Sequence, residues 1–89
     1  AIDIIGMLRK MGADVAFADP HVPALDLGGE TLSAYDLNRG VTAFDLVVII
    51  TDHARFDYPR ILSEARLVFD TRNATGKLEI PATCRVVKL

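Results

Sequence analysis

Five successive apolar residues, Leu46-Val47-Val48-Ile49-Ile50, run from Asp45 to Thr51 without a polar break. A strand with one wet face alternates, whereas an unbroken apolar run belongs in a parallel sheet covered on both faces. A second run, Leu67-Val68-Phe69, lies within Arg66–Asp70 and leads into Thr71-Arg72-Asn73. Between the two, Asp57 to Ala65 reads as a short helix, with Pro59 near its first turn and Ile61, Leu62 and Ala65 as its packing face. Both strands therefore carry polar residues at their C-terminal ends, the edge at which open α/β sheets bind ligands.

Upstream, Ile2, Ile5 and Leu8, with Ile4 and Met11 one step round, have helical spacing, and Asp3, Arg9 and Lys10 lie opposite. Gly12 stops that helix just past a basic last turn. Asp14 to Ala18 is a short β-rich run ended by Asp19-Pro20. His21 to Glu30 is rich in turn residues, including Pro23 and the pair Gly28-Gly29. A short extended piece is expected in Thr31–Leu37, a short helix in Asp36–Ala43 and a last strand over Arg85–Leu89. Alternation at this spacing argues for a parallel sheet with right-handed crossovers. The expected fold is α/β, a Rossmann-like three-layer, mostly parallel sheet. Such a sheet normally begins with a strand that feeds the first helix, and here none precedes it. The chain is therefore expected to lack its first strand, and either to be a fragment of something longer or to oligomerise over the exposed edges.

Composition narrows the classes. Eighty-nine residues make one small domain at most, and 51% hydrophobic with 25% charged residues is an ordinary globular balance. Ten basic against twelve acidic residues leave a net charge of −2 and no basic run, so nothing attracts nucleic acid. The longest apolar run is far too short for a bilayer, and Ala1 to Met11 lacks the basic start of a signal peptide. A lone Cys84 excludes an internal disulfide and fits a reducing, cytoplasmic setting.

Three pieces in register resemble the C-terminal domain of the UDP-glucose/GDP-mannose dehydrogenase family. They are Ala18-Asp19-Pro20-His21-Val22, then Asp45 to His53 followed by Phe56-Asp57-Tyr58, then Leu67 to Asn73. The wording around Thr51–Tyr58 and Asp70–Asn73 is most similar to bacterial enzymes acting on UDP-N-acetylhexosamines. The resemblance implies a UDP-sugar substrate whose C6 alcohol is oxidised to a carboxylate in two steps, with two NAD molecules reduced, in polysaccharide biosynthesis. It also implies that NAD binds an N-terminal domain absent here, that the catalytic cysteine lies in a central region, and that this domain, inactive alone, holds the UDP end. A lysine-bearing loop after the family's opening strand is missing as well.

Arg72 follows a buried strand, where a guanidinium can grip a pyrophosphate bidentately. The plainer alternative is a surface arginine capping carbonyls or pairing with Asp70. The resemblance implies that Arg72 contacts substrate. Asp52, His53, Phe56 and Asp70 are candidates for shaping the site. A loop histidine can serve as base or ligand, but with no second ligand at metal spacing His53 reads as structural. Asp52 suits a turn cap and Asp57 a helix cap. Phe56 and Tyr58 either stack on uracil or, the preferred reading, staple the helix start to the sheet. Asp19 ends a strand where a dinucleotide fold places its ribose-binding acid, yet Gly28-Gly29 is no phosphate fingerprint, so no NAD site is expected in this chain. Cys84 has no histidine beside it to activate it and reads as a bystander. The alternative to a substrate-binding domain is a non-catalytic interaction or oligomerisation module.

Overall fold

Residues 2–89 are described by a computed structural model, in which the chain divides into two units, Ala1–Leu37 and Asn38–Leu89. The first unit opens with α1 (Ile2–Lys10), whose first turn carries Asp3 and whose last turn carries Arg9 and Lys10. These charges complement the helix dipole at both ends. Gly12 takes the left-handed conformation at φ +93°. That conformation lets the Gly12 N–H reach the Arg9 carbonyl and the Ala13 N–H reach the Leu8 carbonyl, both at 3.0 Å. This double bond pattern is a Schellman stop, and glycine adopts it without the Cβ penalty.

A hairpin follows. Strands β1 (Ala24–Asp26) and β2 (Thr31–Ser33) pair antiparallel, with Leu25 opposite Leu32. Gly28 and Gly29 both have positive φ, 77° and 97°, as a two-residue turn matched to strand twist requires. The Asp26 carboxylate accepts from both glycine N–H groups, at 3.1 and 3.3 Å. The segment expected to be only turns thus contains a strand, because its glycine pair folds it back onto Thr31–Ser33. The reverse holds for Asp14–Ala18, which joins no sheet among the described residues. Its Phe17 carbonyl accepts one bond from Tyr35 N–H at 2.7 Å. β propensity is realised only against a partner strand.

A single 3-10 turn, Leu37–Arg39, stands where a short helix over Asp36–Ala43 is expected; Gly40, at φ +82°, takes the chain out of helical geometry. The second unit is built on β3 (Val47–Ile49), α2 (Tyr58–Glu64), β4 (Leu67–Asp70) and β5 (Arg85–Lys88). All pairs are parallel, in the order β3-β4-β5, with Ile49 beside Asp70 and Asp70 beside Lys88. Parallel neighbours need a long crossover, which α2 supplies between β3 and β4. Asp57 caps α2, its carboxylate accepting from Arg60 N–H at 3.1 Å, and Pro59 sits in the first turn, where its missing N–H costs nothing.

The core of this unit consists of Val41, Ile49, Tyr58, Ile61, Leu62, Ala65, Val68 and Cys84. Leu62 and Val68 are essentially inaccessible, at 1% and 0%. The expectation of a wholly buried first strand needs correction. Leu46 is 44% exposed and Val47 and Val48 are half-buried, because β3 is an edge of the sheet while β4 is its centre. The mixed α/β architecture with its parallel sheet is Rossmann-like, as the alternation of elements implies.

Candidate functional site

Because the three strands run parallel and in register, the residues after Ile49, Asp70 and Lys88 leave the sheet at one edge. Two loops of chemical interest therefore start side by side, Ile50 to Asp57 and Thr71 to Thr75. Thr71 stitches them together at the root: its N–H and its Oγ1 both donate to the Ile49 carbonyl, at 3.1 and 2.6 Å.

Asp70 organises the second loop. It is 1% exposed, yet its carboxylate is fully engaged. Oδ1 accepts from the N–H groups of Arg72 and Ala74, both at 3.1 Å, and Oδ2 from the Thr75 N–H at 2.9 Å and the Thr75 hydroxyl at 2.7 Å. Burial opposes the charged form, but the Thr75 hydroxyl and the three amides outweigh it and hold the Asp70 carboxyl below its usual range. Asn73, at φ +57°, makes the left-handed step that wraps the loop around the carboxylate, and asparagine tolerates that step well.

Arg72 projects from this loop. Its backbone N–H is held by Asp70, while the residue itself is exposed. Among the described residues, no hydrogen bond or ion pair holds its guanidinium. The plainer alternative in which the Arg72 side chain pairs with Asp70 is not what the geometry shows, since the Asp70 oxygens are taken by amides and a hydroxyl.

The first loop is ordered by aromatic packing. The Tyr58 hydroxyl accepts from His53 N–H at 2.9 Å. Phe56 meets His53 edge-on at 5.1 Å between ring centroids and Tyr58 edge-on at 6.1 Å. Such T-shaped pairs suit the ring quadrupoles. Tyr58 is buried at 8%, so these rings pack together at the start of α2. Burial pushes the Tyr58 phenol up, opposed by the His53 amide; a hydrogen bond to Asp52 and the charges of Asp52 and Asp70 add to the rise. His53 contributes its amide and its ring edge to this packing.

Thr75 is the residue that sequence reasoning missed. It is as inaccessible as Asp70, at 1%, and completes the Asp70 cradle. A threonine five positions after a strand-end aspartate carries no signature of its own, so only the folded loop reveals it.

Elsewhere, the Asp19 carboxylate accepts from His21 N–H at 2.8 Å, an Asx turn across Pro20. Gly28 and Gly29 serve the hairpin and have no phosphate-binding geometry. Cys84 is buried at 7%, its thiol pushed up by burial, which is the opposite of what activates a nucleophile. No cluster of three or more metal-ligating side chains exists among the described residues. No helix among them is long and apolar enough to cross a membrane.

Residues 1–77 match the family model described as the UDP-glucose/GDP-mannose dehydrogenase family, UDP binding domain. No curated protein and no solved structure matches the chain.

Proposed function

Since the chain belongs to the UDP-glucose/GDP-mannose dehydrogenase family as its UDP binding domain, we propose that it holds the UDP end of a UDP-sugar through Arg72 while other domains of a longer enzyme oxidise C6. Oxidation of a primary alcohol to a carboxylate removes four electrons, so two NAD molecules each accept a hydride and one water is consumed. The residues of this chain do not fit NAD: its glycine pair turns a hairpin and does not join a buried strand to a helix. The resemblance implies that NAD binds an N-terminal domain, and on that reading this chain's part is recognition. The loop wording around Thr51–Tyr58 and Asp70–Asn73 favours a UDP-N-acetylhexosamine, in a bacterial, cytoplasmic enzyme of polysaccharide biosynthesis.

One observation carries the reading. An exposed guanidinium without a partner among the described residues stands on a backbone held by Asp70, at the C-terminal edge of a parallel sheet. That combination suits a pyrophosphate, which accepts two parallel N–H bonds from one arginine. Asp52, His53, Phe56 and Asp70 shape the two loops around it. The test is titration of UDP into the labelled chain with backbone amide shifts as readout. Shifts at Asp52–Tyr58 and Thr71–Ala74, about tenfold weaker binding in Arg72→Ala, and no equivalent shifts with NAD are expected. A folded chain that leaves both loops unmoved by UDP overturns the reading.

A second reading, an assembly module, has its own observation. On α1, Ile2, Ile4 and Met7 are 48%, 41% and 64% exposed, and Met11, just past its end, is 81% exposed. Exposed apolar residues grouped on one helix are typical of surfaces that another chain covers. The two readings are compatible, since a homo-oligomeric enzyme uses both.

A further inference from the structure

The loop that presents Arg72 is held from within by two buried polar side chains, and the family match assigns neither of them a role. We infer that Thr75, acting through Asp70, is a positioning residue that pre-sets the Arg72 loop for an anionic ligand, an inference that rests on the reading of Arg72 as the substrate contact.

The geometry gives Arg72 an unusual combination of a fixed root and a free tip. On its N-terminal side, Thr71 is tied twice to the Ile49 carbonyl, through N–H at 3.1 Å and Oγ1 at 2.6 Å. Its own N–H is bonded to Asp70 Oδ1. On its C-terminal side, Ala74 and Thr75 are tied to the same carboxylate. Asn73, between them, takes the left-handed step that closes the cradle. Gly76 completes the packing: a Cβ there would collide with Asn73 Oδ1, so the Asn73 side chain occupies the space that the glycine leaves open.

A carboxylate that accepts three amides and a hydroxyl has its acceptor sites filled, and none remains to take a hydrogen bond from the neighbouring guanidinium. This separates the two roles that a strand-end Asp-x-Arg sequence otherwise confuses. If Asp70 were half-engaged, it would compete with the ligand for Arg72; the Thr75 hydroxyl removes that competition by taking an acceptor site on Oδ2. It also fixes Oδ2 in place, and through the carboxylate plane Oδ1, on which the Arg72 amide hangs. A loop ordered before binding gives up less conformational freedom when the ligand arrives. The consequence is a threonine that touches no ligand and still sets affinity.

The experiment is a double-mutant cycle on the chain with UDP as probe, using Thr75→Val, which keeps the shape and removes the hydroxyl, Thr75→Ser as the conservative variant, and Arg72→Ala. Thr75→Val is expected to bind UDP about fivefold more weakly in the wild-type background and within about 1.5-fold of the parent in the Arg72→Ala background. Thr75→Ser is expected to restore binding. Wild-type affinity in a folded Thr75→Val chain, or an equal loss in both backgrounds, overturns the inference, because a merely structural threonine would act without regard to Arg72. Hydrogen exchange on the unmutated chain gives a test that needs no variant to fold. The Arg72, Ala74 and Thr75 amides should be protected despite lying in a loop, and free exchange of all three overturns the cradle. If the wild-type chain shows protected amides and no UDP binding, the ligand reading of Arg72 fails, and with it the positioning role, while the cradle stands as a structural feature.

Discussion

At Asp70, one residue bears on both the stability of the fold and the shape of the candidate site. Its carboxyl is held below its usual range because three amides and the Thr75 hydroxyl outweigh the cost of burial. The unfolded chain, with an ordinary aspartate pKa of about 3.9, then binds the extra proton first as pH falls. Stability from this group is therefore fully present above about pH 4 and is lost as pH drops through the lower folded value. The urea midpoint should fall on acidification below about pH 4, and Asp70→Asn should lower the midpoint at neutral pH and flatten the acid limb. Equal acid limbs in the two proteins would remove Asp70 from this role. Thr75 and Asn73 belong to the same scale. The motif Asp70-Thr71-Arg72-Asn73 is legible along the chain as strand-end chemistry, but the partner that saturates Asp70 lies beyond it and is chosen by the path of the loop.

Among the elements, α2 is the one most completely written in local sequence. Asp57 as cap, Pro59 in the first turn and the Ile61, Leu62 and Ala65 face are all visible in the chain, and all three devices are present in the fold. Asp57→Ala should cost about 1 kcal/mol, read as a lower midpoint in urea with an unchanged slope. An unchanged midpoint would show that the tertiary packing of Tyr58 alone defines the helix start. Strands behave differently. The run Asp14–Ala18 has strand composition and no sheet, whereas Ala24–Asp26 has turn neighbours and pairs. Helix signals are local, because the hydrogen-bond partner is four residues away. A strand's partner is remote, and here the Gly28-Gly29 turn decides which segment acquires one.

At the scale of the whole chain, 89 residues leave little core to spare. Leu62, at 1% exposure, packs in the second unit, where the two loops of the site are rooted. Leu62→Ala should cost about 3 kcal/mol, a large part of the stability of a domain this size. Loss of the cooperative transition, or of about 3 kcal/mol measured in urea, is the expected result, and a change under about 1 kcal/mol would show that the core repacks. The exposed apolar residues of α1, with Met11 just past its end, bear on assembly. Sedimentation of a Met7→Lys, Met11→Lys chain should show weaker self-association than the parent, since both side chains are mostly exposed and a charge there opposes burial. Identical sedimentation would place the contact elsewhere, the outer edge of β3 being the next surface to examine.

The chain's own pattern determined the class of the fold and pointed to the place of the candidate site. Two apolar runs joined by a capped helix imply parallel strands, and parallel strands bring their C-terminal residues to one edge, Arg72 among them. These follow from periodicity and local hydrogen bonding, which residue order contains. Tertiary structure alone decided that β3 lies at the edge and is only half-buried, that Asp14–Ala18 stays outside the sheet, and that Thr75 closes on Asp70. Each of those depends on a partner distant along the chain or on the turn of a loop, and neither is encoded by the spacing of apolar residues.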